Sequence, residues 1–191
     1  MPSLPNAEKP LASLPGTQTE AEVIATMLNT NPLTGGAATK EAVVSQASDV
    51  DILHIATHGL LDELDTGTPG ALALTPTPTD PGFLTTADIL KLPLTARLAV
   101  LSACDTGRGR ITGDGVVGLS RSFLTAGVDS VVVSLWRVPD DATSLLMRQF
   151  YIQLRQQPNR AIALQQAMLY TRDTYVEPHT WAAFSLFGEM Q

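Results

Sequence analysis

Three short apolar runs stand out from an otherwise mixed chain: Asp51-Ile52-Leu53-His54-Ile55-Ala56, Leu98-Ala99-Val100-Leu101, and Ser130-Val131-Val132-Val133-Ser134-Leu135. Each is too short for a core helix. Each is apolar at consecutive rather than alternate positions, as expected of strands covered on both faces. Between them the apolar spacing becomes helical. Val23, Ile24, Met27 and Leu28 follow Thr17-Gln18-Thr19-Glu20, which has capping-box spacing, and this helix ends before Asn31-Pro32. Residues 39–48 predict a second short helix, and a small one is expected around Thr86–Lys91. Val116, Leu119, Phe123 and Leu124 mark another helix face, as do Leu145, Leu146, Phe150 and Leu154, whose helix Asp140 or Asp141 is placed to cap. Asn159 caps a further helix running to about Arg172, and Trp181–Leu186 closes the chain as a strand. Strands alternating with helices predict an α/β fold, with a mostly parallel sheet flanked by helices on both faces.

The punctuation divides the chain unequally. Residues 1–16 hold four prolines and no periodicity, so they read as an irregular lead-in to one domain over 17–191. Leu60 to Pro81 is rich in Gly, Pro, Thr and Asp, which predicts a long surface loop with one short strand at Ala71–Leu74. There are no internal repeats or heptads. A chain of 191 residues, 44% hydrophobic, suits a single globular domain able to bury a core unaided. Net charge is −7, which disfavours a nucleic-acid backbone as partner and suits basic peptides. One cysteine rules out an intramolecular disulfide and points to a reducing compartment. No apolar run approaches the ~18 residues of a membrane span, and the first residues lack the pattern of a signal peptide. A soluble, cytoplasmic domain is expected.

In open parallel sheets the sites lie at the carboxyl ends of the strands. His58 follows the first apolar run, and Cys104 ends the second through Ser102-Ala103-Cys104. If these strands are neighbours, an imidazole faces a thiol across one crevice and can take its proton. The N–H groups of Gly59 and Cys104 would then hold the oxyanion of a tetrahedral intermediate. The residues alone leave the alternative open, since a lone cysteine after an apolar run is by default a small buried hydrophobe. His54 reads as an inward, hydrogen-bonded core histidine, and His179 as a surface or hinge residue. No metal is expected, because His54 and His58, four positions apart on a strand, are separated by ~13 Å. Gly113-Asp114-Gly115-Val116-Val117-Gly118 fits G-x-G-x-x-G, but it begins nine residues after Cys104 and no ribose-binding acid follows the third run. A loop and helix start beside the nucleophile suits those glycines better than a nucleotide site. Asp140 and Asp141 lie past the third run, where one carboxylate can cap the helix while the other faces a pocket for a basic side chain.

Taken together, HIATHG, LSACDTG, GDGVVGLSRSFLTAG, SVVVSLWRVPDDAT with LLMRQFY, and WAAFSLFG resemble, in order and spacing, the CHAT domain. That domain is a caspase-like cysteine peptidase module often found behind tetratricopeptide repeats in bacterial proteins. The resemblance runs from about Leu14 to the C-terminus. It implies a caspase-like three-layer sandwich, with His58 as the catalytic histidine, Cys104 as the nucleophile and Gly59 in the oxyanion hole. Asp140, four residues past Trp136, is placed like the acidic specificity residue of the related separase peptidases, which implies cleavage after arginine or lysine. The implied partners are a peptide or protein substrate and a tetratricopeptide-repeat region, with no cofactor. Loops 60–82 and 105–115 would frame the cleft, and Arg108 or Arg110 would be the sites of any self-cleavage. CHAT domains usually begin with further strands upstream, so the resemblance also implies a missing sheet strand. A catalytically silent binding or scaffold module is the alternative.

Overall fold

The computed structural model describes residues 11, 14–60, 70–102 and 113–191. In chain order the elements are α1 (Pro15–Leu28), α2 (Lys40–Ala47), β1 (Ile52–Ala56), β2 (Gly59–Leu60), β3 (Ala71–Ala73), β4 (Phe83–Thr85), α3 (Thr86–Ile89), β5 (Leu98–Ser102), α4 (Gly113–Thr125), β6 (Ser130–Ser134), α5 (Asp140–Gln156), α6 (Arg160–Thr174), α7 (Pro178–Trp181) and β7 (Phe184–Gly188).

The three apolar runs become β1, β5 and β6, which lie side by side and parallel, with β7 antiparallel beyond β6. Ile52 stands opposite Leu98 and Ala56 opposite Ser102, so β1 and β5 finish level. Among the described residues β1 is paired on one side only. Successive strand residues face opposite ways, and the core divides accordingly. Leu98, Val100, Val132 and Leu186 pack with Ile24 of α1, with Leu146, Met147, Phe150 and Tyr151 of α5, and with Leu164 of α6. Ile55, Ala99, Leu101, Val131 and Val133 pack with Val43 and Val44 of α2, Ile89 of α3, and Leu119 and Phe123 of α4. The result is helix, sheet, helix: the three-layer sandwich expected. Among the described residues no helix is long and apolar enough to cross a membrane.

Four local expectations are corrected. First, α1 starts at Pro15 rather than after Thr17; proline suits a first helical position, having no N–H to satisfy. The Thr17 hydroxyl therefore donates to the Leu14 carbonyl at 2.8 Å instead of capping. Second, a capping box does form, but at α3. Thr85 accepts from the Asp88 N–H, and the Asp88 carboxylate accepts from the Thr85 N–H. Third, neither Asp140 nor Asp141 is the N-cap of α5. Pro139 takes that place and both acids fall in the first turn, where the helix dipole favours negative charge. Fourth, the strand expected at Ala71–Leu74 is present as β3, but it is not isolated in a surface loop. β2, β3 and β4 form a small antiparallel sheet whose Leu72 and Leu84 are buried in the main core.

Asp88 also accepts from Lys40 Nζ at 2.8 Å, tying α2 to α3. Its carboxyl is held below the ordinary value. Partial burial alone would raise it, but the Lys40 and Thr85 hydrogen bonds together outweigh that. A lowered folded-state value means stabilisation that is present above the unfolded value of 3.8 and lost as pH falls through the folded one. Asp88→Ala is expected to cost about 1–2 kcal/mol at neutral pH by removing the reciprocal half of the capping box and the lysine's partner. The cost should shrink in acid; thermal melts at pH 7 and pH 3 check both.

Candidate functional site

Because β1 and β5 are parallel and end level at Ala56 and Ser102, His58 and Cys104 each follow two residues later in sequence. The Thr57 N–H donates to the Ser102 carbonyl at 3.3 Å and carries the ladder one step further. Cys104 itself, with Arg108, Arg110 and the rest of 103–112, lies outside the described residues. So does most of the stretch between β2 and β3, residues 61–69.

His58 is described, and it is 7% exposed. The backbone around it is fixed from two sides. The His58 carbonyl accepts from the Ala73 N–H at 2.9 Å, and the Thr57 hydroxyl donates to the Ala73 carbonyl. The Ala73–His58 bond has a consequence for Gly59. It makes Gly59 and Leu72 a pair that exchanges no N–H···O bonds, so the Gly59 amide is not spent on the β3 ladder. That amide is turned away from β3.

Beside these strand ends is a small, open recess lined by Thr57 and Ser102, by Gly16, Thr17 and Glu20 of α1, and by Asp140 and Thr143 of α5; Leu14, Arg137 and Val138 complete it. The backbone at Gly16 lies hard against Asp140. A Cβ there would sit 2.5 Å from the Asp140 Cβ and 2.8 Å from its Oδ2. Gly16→Ala is therefore expected to displace the Asp140 carboxylate and lower stability by about 1–3 kcal/mol, as overpacking does. A thermal melt measures it. Asp141, by contrast, is directed elsewhere: it accepts from the Ala142 N–H at 2.9 Å and from the Tyr175 hydroxyl at 2.8 Å. That bond, more than the slight burial, raises the Tyr175 phenol above its ordinary value. The two neighbouring acids thus divide, with Asp140 at the recess and Asp141 outside it.

His54 is the hydrogen-bonded core histidine expected. Its Nδ1 meets the Tyr151 hydroxyl at 3.0 Å and its Nε2 meets Glu20 Oε1 at 2.9 Å. Burial, and after it the Glu20 charge, push the Tyr151 phenol upward, so it stays protonated. A Glu20 carboxylate only accepts, so Nε2 is the donor of that bond. This chain links α5, β1 and α1 and ends at a carboxylate on the recess wall. His179 is exposed in α7, where its carbonyl accepts from Trp136 Nε1. Among the described residues no group of three metal-ligating side chains exists. The glycines of the G-x-G-x-x-G match form the opening turns of α4.

Glu20, Ser102, Thr143 and Gly16 were not singled out by sequence reasoning. For Glu20 a signal existed: it precedes Ile24 by one helical turn and so falls on the stripe that faces the sheet. A carboxylate there needs a buried partner. Ser102 and Thr143 carried no signal of their own.

Comparison with known proteins extends the picture. Residues 3–189 match the family described as CHAT domain. Tetratricopeptide repeat protein 28 of mouse is 31% identical over 92% of this chain, and its human counterpart is 30% identical over the same share. The chain spans only 8% of the length of each. Among solved structures, the Arg-specific cysteine proteinase gingipain R superposes with a TM-score of 0.62, at 12% identity, over 97% of this chain and 44% of the other. At that identity the likeness speaks for the fold, which is caspase-like.

Proposed function

The chain belongs to the CHAT-domain family, and from that premise we propose that it is a cysteine endopeptidase cleaving after arginine or lysine. The observation that carries this reading is the parallel register of β1 and β5, with His58 and Cys104 each two residues beyond the level strand ends. The His58 imidazole takes the thiol proton and the Cys104 thiolate attacks the scissile carbonyl carbon. The oxyanion is held by the N–H of Gly59 and that of Cys104; the Gly59 amide is not engaged by β3. Collapse of the tetrahedral intermediate expels the amine, protonated by His58. Water, with His58 again as base, then hydrolyses the thioester. Asp140 pairs the basic side chain that enters the recess; Asp141, bonded to Tyr175, takes no direct part. This chemistry calls for no cofactor, and a reducing, cytoplasmic compartment suits its single thiol.

The matched relatives carry tetratricopeptide repeats in their names, which supports a repeat region as the partner that presents substrate or gates the site. It equally favours a second reading, a silent module that serves such a region as a scaffold. Hydrolysis of peptides differing only in the residue before the scissile bond separates the two. Cleavage confined to arginine and lysine peptides supports the enzyme. A cooperatively folded chain that cuts none of them supports the scaffold.

A further inference from the structure

We propose that the recess is a guanidinium site selecting arginine over lysine, with Ser102, Thr143 and Glu20 as specificity residues beside Asp140. The proposal deepens the peptidase reading and rests on it for the role of the bound side chain, although the recess itself is built from described residues alone. The starting observation is an unmet demand. The hydroxyls of Ser102 and Thr143 are both buried, on residues 4% and 6% exposed, and neither has a hydrogen-bond partner among the described residues. Buried hydroxyls are ordinarily satisfied, and leaving one unsatisfied is costly. Both of these line the same recess, one from the end of β5 and one from the first turns of α5. The arrangement is that of a site waiting for donors.

The other walls say which donors. Asp140 and Glu20 place two carboxylates on the recess against one cationic side chain, Arg137. Glu20 is 2% exposed and is held in place by His54, itself held by Tyr151. An incoming group must therefore bring positive charge and also several N–H groups directed at separate acceptors. A guanidinium has five donors fixed in a plane and is weakly hydrated. An ammonium has three donors around one strongly hydrated point and reaches fewer of these acceptors at once. Ser102 on β5 and Thr143 on α5 line the recess from different elements, which suits a planar fork better than a point charge.

The test uses binding, which needs neither Cys104 nor turnover. Agmatine, a guanidinium probe, and cadaverine, an ammonium probe of similar length, are titrated into the full chain by calorimetry, with propionate as an anionic control. Agmatine should bind about tenfold more tightly than cadaverine, the worth of one or two extra hydrogen bonds. Ser102→Ala and Thr143→Val should each weaken agmatine by about three- to tenfold while leaving cadaverine nearly unchanged. Their melting temperatures should hold or rise, because each removes an unsatisfied buried hydroxyl. A merely structural hydroxyl would show the reverse, a lower melting temperature and an unchanged probe ratio. Glu20→Gln should weaken both probes; the two hydroxyl variants decide the matter even if that variant misfolds. Equal binding of the probes, tighter binding of propionate, or a ratio unmoved in both hydroxyl variants would overturn the proposal. Agmatine selectivity in a chain that cuts no peptide leaves this site standing and the peptidase reading fallen. Equal cleavage after arginine and lysine, with equal probe binding, does the opposite.

Discussion

Cys104→Ala is expected to abolish peptide hydrolysis, by on the order of 10⁶-fold, with the melting temperature unchanged. The size follows from the role. A nucleophile that forms the covalent intermediate has no substitute, since alanine offers the carbonyl nothing to attack. The stability follows from the fold. β5 is held by parallel ladders on both sides through Leu98–Leu101 and by packing on both faces, all of it before residue 104. His58→Ala should be gentler, about 10²–10⁴-fold at neutral pH, because the thiolate still forms slowly without its base. That variant should recover part of its rate as pH rises toward the ordinary thiol value near ~8.5. Peptide hydrolysis followed against pH, beside thermal melts, measures all three. Hydrolysis that persists in Cys104→Ala would exclude the mechanism.

Asp140→Ala should cost about 10–10²-fold in kcat/KM on arginine peptides and little on peptides with an uncharged residue there, since Asp140 is exposed in the free chain and a hydrogen bond to a charged group is worth about 1.5–3 kcal/mol. Asp140 lines the recess, pressed into place by the Gly16 backbone, and so meets whatever side chain enters. Asp141→Ala is the internal control: its carboxylate is engaged by Tyr175 outside the recess, so arginine and uncharged peptides should respond alike. Equal losses on both peptide types in Asp140→Ala would remove it from the specificity assignment.

Much of this arrangement is legible in the sequence because burial on both faces leaves a plain mark. Val131-Val132-Val133 has no polar alternation, and the strand it forms is covered by helices on each side. Asn159 likewise caps α6 as its position predicts, accepting from the Ile162 N–H. Of the small sheet only β3, expected at Ala71–Leu74, is legible; β2 and β4 have two and three residues, too few for any period to register. Leu72 and Leu84 owe their burial to tertiary packing, which no local pattern reports. The different placement of Asp140 and Asp141 is invisible for a similar reason. It depends on Gly16 and Tyr175, which lie 124 and 34 residues away in the chain. The strand ends that carry His58 and Cys104 are legible; the recess beside them, assembled from α1, β5 and α5, is a product of the fold.

The most direct test of the central claim is covalent labelling of the intact chain by peptide electrophiles carrying arginine, lysine, aspartate or methionine beside the warhead, with the modified residue located by mass spectrometry. The account predicts rapid labelling of Cys104, selective for arginine and lost in His58→Ala. Slow labelling that ignores both His58 and the adjoining side chain would contradict it.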